Sequence, residues 1–176
     1  HCALWVGIGH GVLTGRKDAP IRLDYGRATA VFANLSPALR KDLYDVFIDD
    51  PVKLIGSLLL DSTGMAAIGD NAGVATDDAP GFEYRGARAG GAAVWATNAD
   101  LVIESSTGPW SDFVGTAEEA AAVNTAAAAT AARFRATIAT MRGDNHNTLA
   151  WFRQAAQLDH TDREAARFLY MALPKN

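Results

Sequence analysis

The chain contains one thiol, Cys2, directly ahead of the apolar run Ala3-Leu4-Trp5-Val6. A cysteine at the head of a helix is a setting for nucleophilic chemistry. The helix N-terminus carries partial positive charge, which favours the thiolate, and the thiolate is the reactive form. Gly7, Gly11 and Gly15 recur at every fourth position. On a helix over roughly Cys2 to Leu13 they would share one face and let a sheet approach closely. The opposing reading is a glycine-rich strand or loop holding a buried, inert cysteine. Each mid-helix glycine costs about 1 kcal/mol relative to alanine, and free cysteine is a common core residue. Gly9 adds a further glycine to the same stretch.

A nucleophilic thiol needs a base. His10 would stand about 12 Å from Cys2 along a helix, too far for direct contact. His146 and His160 belong to C-terminal elements and remain candidates. Other short motifs carry less. Gly7-x-Gly-x-Gly11 lacks the third glycine of a dinucleotide loop at the right spacing, and no βαβ unit follows. Asp61-Ser-Thr-Gly64 and Asp70-Asn-Ala-Gly73 do not supply the alternating oxygen ligands of an EF-hand, and turn chemistry accounts for both. Asp77-Asp78 reads as solvated surface. Trp5, Trp95, Trp110 and Trp151 have no basic residues interleaved, so no stacking platform for nucleic acid emerges. No cofactor and no metal are expected.

Composition sets the bounds. At 176 residues and 18.6 kDa the chain fits a single domain over 1–176, large enough to bury a core. Net charge of −4 and a pI of about 5.5 provide no field favouring nucleic acid. No apolar stretch approaches the ~20 residues that span a bilayer. The longest, Leu54 to Leu60, is interrupted by Gly56 and Ser57. One cysteine excludes an internal disulfide framework and a multi-cysteine zinc or iron–sulfur site. A cytoplasmic location is expected. The first residue is His1 rather than Met, as in a processed product or a piece of something longer, and no charged leader with a cleavage site is visible.

The second half shows its helices clearly. Thr116 and Glu119 form a capping box, and Val123, Phe134, Ile138 and Met141 mark a face among alanines. Arg142 and Gly143 close the helix. A helix over 117–142 would be about 39 Å long, with an alanine face that permits close approach and suggests an oligomer contact. A helical hairpin over 148–173 follows, with Thr161 and Glu164 repeating the capping box and Pro174 ending it. The stretch Ala150-Trp-Phe-Arg-Gln-Ala-Ala-Gln-Leu-Asp-His-Thr-Asp-Arg-Glu-Ala resembles a junction between tetratricopeptide repeats, but no second copy is present.

In the first half, Ser36-Pro37 and Asp50-Pro51 start helices, the first ending at Asp49. Phe82, Tyr84 and Arg88 alternate, Gly90-Gly91 turns, and Ala92 to Ala96 returns as a strand; Leu101 to Ile103 makes another. The Asp-Asp-Ala-Pro at 77–80 reads as a surface loop. The expected class is α+β: a small antiparallel sheet with an N-terminal helix and C-terminal helices.

The order Cys-Ala-Leu-Trp-Val, then Val-Leu-Thr-Gly, then Ala-Pro-Ile-Arg-Leu-Asp-Tyr-Gly-Arg-Ala resembles the core of transglutaminase-like and papain-like cysteine proteins. The segment Gly91-Ala-Ala-Val-Trp-Ala-Thr-Asn-Ala-Asp-Leu-Val-Ile-Glu-Ser-Ser is similar to that superfamily's His-x-Trp strand and its acidic strand. The resemblance implies Cys2 as nucleophile, Trp95 as the matching tryptophan and Glu104 as the acidic residue. The histidine position falls on Ala93, and alanine can neither deprotonate a thiol nor protonate a leaving group. Another histidine must then serve, or the fold has lost the chemistry, as in a pseudoenzyme.

Two further resemblances concern the start. Leu4-Trp-Val-Gly-Ile-Gly-His-Gly-Val-Leu resembles the opening β-hairpin of N-terminal nucleophile hydrolases, although His1 precedes the cysteine and blocks its amine. A terminal histidine chelates copper in lytic polysaccharide monooxygenases, which are β-sandwiches, unlike this helix-rich chain.

The implied function is a soluble cysteine-dependent hydrolase or acyltransferase acting on an amide or thioester, with a peptide, protein or small amide as substrate. The alternative is a non-enzymatic interaction or structural protein that docks through the alanine-rich helix and the C-terminal hairpin.

Overall fold

The computed structural model describes residues 1–7, 10–69, 91–106 and 112–172. The chain opens as a β-hairpin. Strands β1 (Cys2–Gly7) and β2 (His10–Gly15) pair antiparallel, from Cys2 opposite Gly15 to Gly7 opposite His10. This corrects the helix expected from Cys2 to Leu13. Gly7, Gly11 and Gly15 each penalise a helix by about 1 kcal/mol. The strand period instead sends Ala3 and Trp5 to the core face and Leu4 and Val6 to the other. Trp5 Nε1 donates to Thr14 Oγ1 at 2.9 Å, a diagonal brace across the pair. The opposing expectation of a glycine-rich strand holds, but its buried cysteine does not: Cys2 is exposed.

Strand β3 (Leu23–Asp24) runs into α1 (Tyr25–Ala33), capped by the Asp24 carboxylate, which accepts from the Arg27 amide. Helices α2 (Pro37–Asp45) and α3 (Pro51–Gly56) start where their Ser-Pro and Asp-Pro pairs predict. Ser36 and Asp50 accept from the third helical amide, and proline takes the first turn. Helix α2 stops at Asp45 rather than Asp49 because Phe47 turns left-handed, with φ of 63°. The Ile48 amide then reaches Leu43 O at 2.9 Å and the Phe47 amide reaches Tyr44 O at 3.1 Å, a Schellman closure with phenylalanine where glycine is usual.

Strand β4 (Leu58–Leu60) is buried at all three residues and pairs antiparallel with β1, so the sheet order is β2-β1-β4. Helix α4 (Ser62–Gly69) follows, and Asp61 accepts from the amides of Thr63 and Gly64, the turn role read from that motif. Residues 92–104 were expected to hold two strands; they form one helix, α5 (Ala92–Glu104). No glycine or proline interrupts that run, and Ala96 and Ala99, three apart, pack on Ile138. Strand β5 (Phe113–Val114) pairs in parallel with β3. The alternation at Phe82, Tyr84 and Arg88, the motifs at 70–73 and 77–80, Trp110 and Pro174 lie outside the described residues.

Helix α6 (Ala117–Met141) has the expected capping box, with Thr116 and Glu119 bonded in both directions. It is the central strut. Ala126, Ala129, Ala132, Ala136 and Ala139 are buried inside the chain. The face expected to receive a partner therefore largely serves the protein's own α3, α5, α7 and β4. The closest approach is at Gly56, where an added Cβ would lie 2.6 Å from the Ala126 Cβ.

Helices α7 (Asn145–Leu158) and α8 (Arg163–Ala172) form the C-terminal hairpin. Asp144 caps α7, which starts at Asn145, three residues ahead of Thr148, and Asp162, not Thr161, caps α8 by accepting from the Ala165 amide at 2.9 Å. The architecture is α+β, a small antiparallel sheet with helices around it. No helix among the described residues is long and apolar enough to cross a membrane.

Candidate functional site

The residues singled out by sequence lie on separate elements. Cys2 is the first residue of an exposed strand end and does not head a helix. Glu104 is exposed at the last turn of α5, and Ala93 lies in the first turn of that helix. His146 is exposed in the first turn of α7, and His160 is exposed in the turn between α7 and α8. The amine of His1 donates to Arg16 O at 3.0 Å. Among the described residues no cluster of His, Cys, Asp or Glu is arranged to hold a metal ion.

A different set of side chains does converge. Leu4 and Val6 look away from the core onto a groove of about 230 Å3. Helix α5 supplies Trp95, Asn98, Ala99 and Val102 to its wall. Helix α6 supplies Thr130, Arg133, Phe134 and Thr137. Each set follows the i, i+3, i+4, i+7 spacing of a single helical face. Trp95 and Phe134 meet with ring centroids 5.8 Å apart, tilted at 59°. The walls are therefore mostly apolar and aromatic, with Asn98 and Thr137 among them and a polar end at Thr130, Arg133 and Glu164.

That polar end is built around Arg133. Its NH1 bonds Glu164, and its NH2 donates to Thr130 Oγ1 at 3.0 Å. Its Nε lies 2.9 Å from Asp162 Oδ2. The Nε–H and that oxygen are misaligned, so this contact is an ion pair and neither atom makes a directed hydrogen bond. NH1 and NH2 are thus hydrogen-bonded within the chain, while Nε is held by charge alone. Asp162 and Glu164 are both buried. Two carboxylates share one guanidinium, leaving the cluster one negative charge in excess when both are ionised. Burial pushes the Glu164 carboxyl above the usual range; Arg133 pulls it back, while the Asp162 charge pushes in the same direction as burial.

Local sequence explains the geometry. Because Asp162 takes the cap of α8, Glu164 is not drawn back to the helix start and reaches across to Arg133. Reading Thr161 and Glu164 as a capping box hid this role. The signal was nonetheless present in α6: Thr130, Arg133 and Thr137 share a face with buried alanines, and an arginine on a buried face demands a buried acid.

Comparison with known proteins adds no relative. No family model matches the chain, and no curated protein or solved structure matches it.

Proposed function

We propose that this chain is a binding module for a small amphipathic amine, held in the groove between the hairpin, α5 and α6. The observation that carries this reading is the placement of Glu164 at the groove's polar end, where two buried carboxylates share Arg133. An ammonium group would supply the missing positive charge, and a hydrogen-bonded pair to a buried carboxylate is stronger than its solvent-exposed counterpart. An anionic ligand would meet the like charge of Asp162 and Glu164. The apolar body would lie on Leu4, Val6, Val102 and the Trp95–Phe134 pair. A volume of about 230 Å3 exceeds the ~150 Å3 that encloses benzene and falls short of drug-sized sites. One ring with a short chain fits.

Calorimetric titration with phenethylamine, phenethyl alcohol and phenylacetate tests this. The amine should bind most tightly, and Glu164→Gln should remove its advantage over the alcohol. Tighter binding of phenylacetate would overturn the reading.

A second reading is favoured by one observation, the exposure of Cys2. An accessible thiol keeps the cysteine-dependent hydrolase or acyltransferase open as a proposal, acting on an amide or thioester with Glu104 as the acidic residue. Release of 4-nitrophenol from an acyl ester by the wild type, abolished in Cys2→Ser, would support it. Equal turnover by both proteins would remove it.

A further inference from the structure

We propose that two copies of this chain join edge to edge through β2, extending the antiparallel sheet across a twofold axis at Leu13. The proposal does not rest on the groove's ligand, although Gly11 also lines the groove. It starts from the parity of the hairpin's hydrogen bonds. The Arg16 amide donates to His1 O at 2.8 Å, and the His1 amine donates to Arg16 O at 3.0 Å, so these two residues form a bonded pair. Bonded and non-bonded pairs alternate along an antiparallel ladder. Ala3–Thr14, Trp5–Val12 and Gly7–His10 are then bonded pairs as well. The main-chain groups of the intervening residues point outward. On β1 this is realised: the Val6 amide turns away from β2 and donates to Ser57 O at 2.8 Å. On β2 the outward groups belong to Gly11, Leu13 and Gly15, and no strand among the described residues takes them up.

This edge also lacks the usual guards. Lysine, proline, inward charges, bulges and very short length are what keep edge strands from pairing. From His10 to Gly15 there is no Lys, Arg, Asp, Glu or Pro, and the register against β1 runs without a bulge. Val12 and Leu13, on opposite faces of the strand, are 51% and 62% exposed. The sheet's other outer strand, β4, is buried throughout.

The strand's own sequence selects the occupant. A twofold interface demands a self-complementary patch. Gly11-Val12-Leu13-Thr14-Gly15 is a pseudo-palindrome about Leu13: glycine faces glycine, β-branched Val12 faces β-branched Thr14, and Leu13 faces its own copy. With outward groups on 11, 13 and 15, the bonded register of an antiparallel pair is 13 with 13 and 11 with 15. Backbone parity and the palindrome therefore give the same centre. A single strand pair buries less than a standard interface, so the dimer is weak and forms with rising concentration.

Sedimentation equilibrium up to about 1 mM should show a reversible monomer–dimer equilibrium in the wild type. Leu13→Pro removes an amide that the monomer's ladder does not use, so the fold should survive by circular dichroism. Dimerisation should weaken about tenfold or more, since two central hydrogen bonds go. As a second measure, Leu13→Cys in a Cys2→Ser background places two thiols on the axis, with Cα atoms about 5.5 Å apart, within disulfide range. Mild oxidation should yield a covalent dimer. A wild type that stays monomeric, a dimer unaffected by Leu13→Pro, or no cross-link at Leu13→Cys would each overturn the proposal.

Discussion

The guanidinium of Arg163 lies 3.4 Å from the centre of the Tyr44 ring. The same group bonds Asp49 Oδ2 and Tyr44 O, each at 3.1 Å, and faces the Phe47 ring at 5.2 Å. The first residue of α8 thus clamps the end of α2 at the turn where Phe47 is held left-handed. Arginine suits this position because its planar fork stacks and bonds together, which an ammonium cannot do. Arg163→Lys should keep the charge beside Asp49 yet destabilise the protein by about 1–2 kcal/mol. Urea unfolding measures this, and a cost within error of zero would show that the clamp holds only charge.

Gly56 and Ala126 set the spacing between α3 and α6. An alanine Cβ at 56 would lie 2.6 Å from the Ala126 Cβ and 3.0 Å from its carbonyl carbon. Backbone cannot step aside as a flexible side chain can, so Gly56→Ala should cost about 1–3 kcal/mol. Gly69→Ala is the contrast, since an added Cβ there meets nothing within 4 Å. It should be neutral or stabilising by up to about 0.5 kcal/mol through helix propensity. The melting curve of Gly56→Ala should fall below that of the wild type, while that of Gly69→Ala should match or exceed it.

These contacts mark where sequence reasoning reached and where it stopped. Capping signals are local, and Thr116 with Glu119, Ser36-Pro37 and Asp50-Pro51 all start helices as read. Elements decided by tertiary partners were harder. Ala92 to Ala96 alternates weakly enough for strand or helix, and burial of Ala96 and Ala99 against Ile138 decides for helix. The opening glycines permit both a close-packed helix face and a hairpin. Pairing of β1 with the buried β4 selects the hairpin. The groove is hard to read from sequence because its polar end joins distant residues of α6 and α8 through one ion-pair cluster, while Cys2 lies outside it.

Removing Arg133 should expose the cost of that cluster. Arg133→Ala would leave Asp162 and Glu164 buried with no cation between them, a loss of about 3–5 kcal/mol near neutral pH. Part of the loss should return in acid, where a neutral Glu164 no longer repels Asp162. Arg133→Ala combined with Glu164→Gln should therefore be more stable than Arg133→Ala alone at pH 7. If the two variants unfold at the same urea concentration, the carboxylate pair is not the source of the cost.

Stability as a function of pH follows from the directions of two shifts. Burial, joined by the Asp162 charge, raises Glu164 in the folded state against the pull of Arg133. A raised carboxyl binds its proton more tightly folded than unfolded, so its contribution is complete below the ordinary glutamate value of about 4.3. That contribution falls as pH rises through the folded value. Asp49 runs the other way. Burial opposes ionisation, but bonds and charge from Lys53, with a bond from Arg163, hold it below the ordinary range. Its stabilisation is present above the unfolded aspartate value and disappears as pH falls through the lowered folded one. Subtracting wild type from Glu164→Gln cancels Asp49 and isolates Glu164. The free energy of unfolding of Glu164→Gln relative to wild type should climb as pH rises above the ordinary glutamate value. A difference that is flat, or that declines, would mean Glu164 stays ionised in the folded protein, and the excess negative charge at the groove would then be permanent rather than titratable.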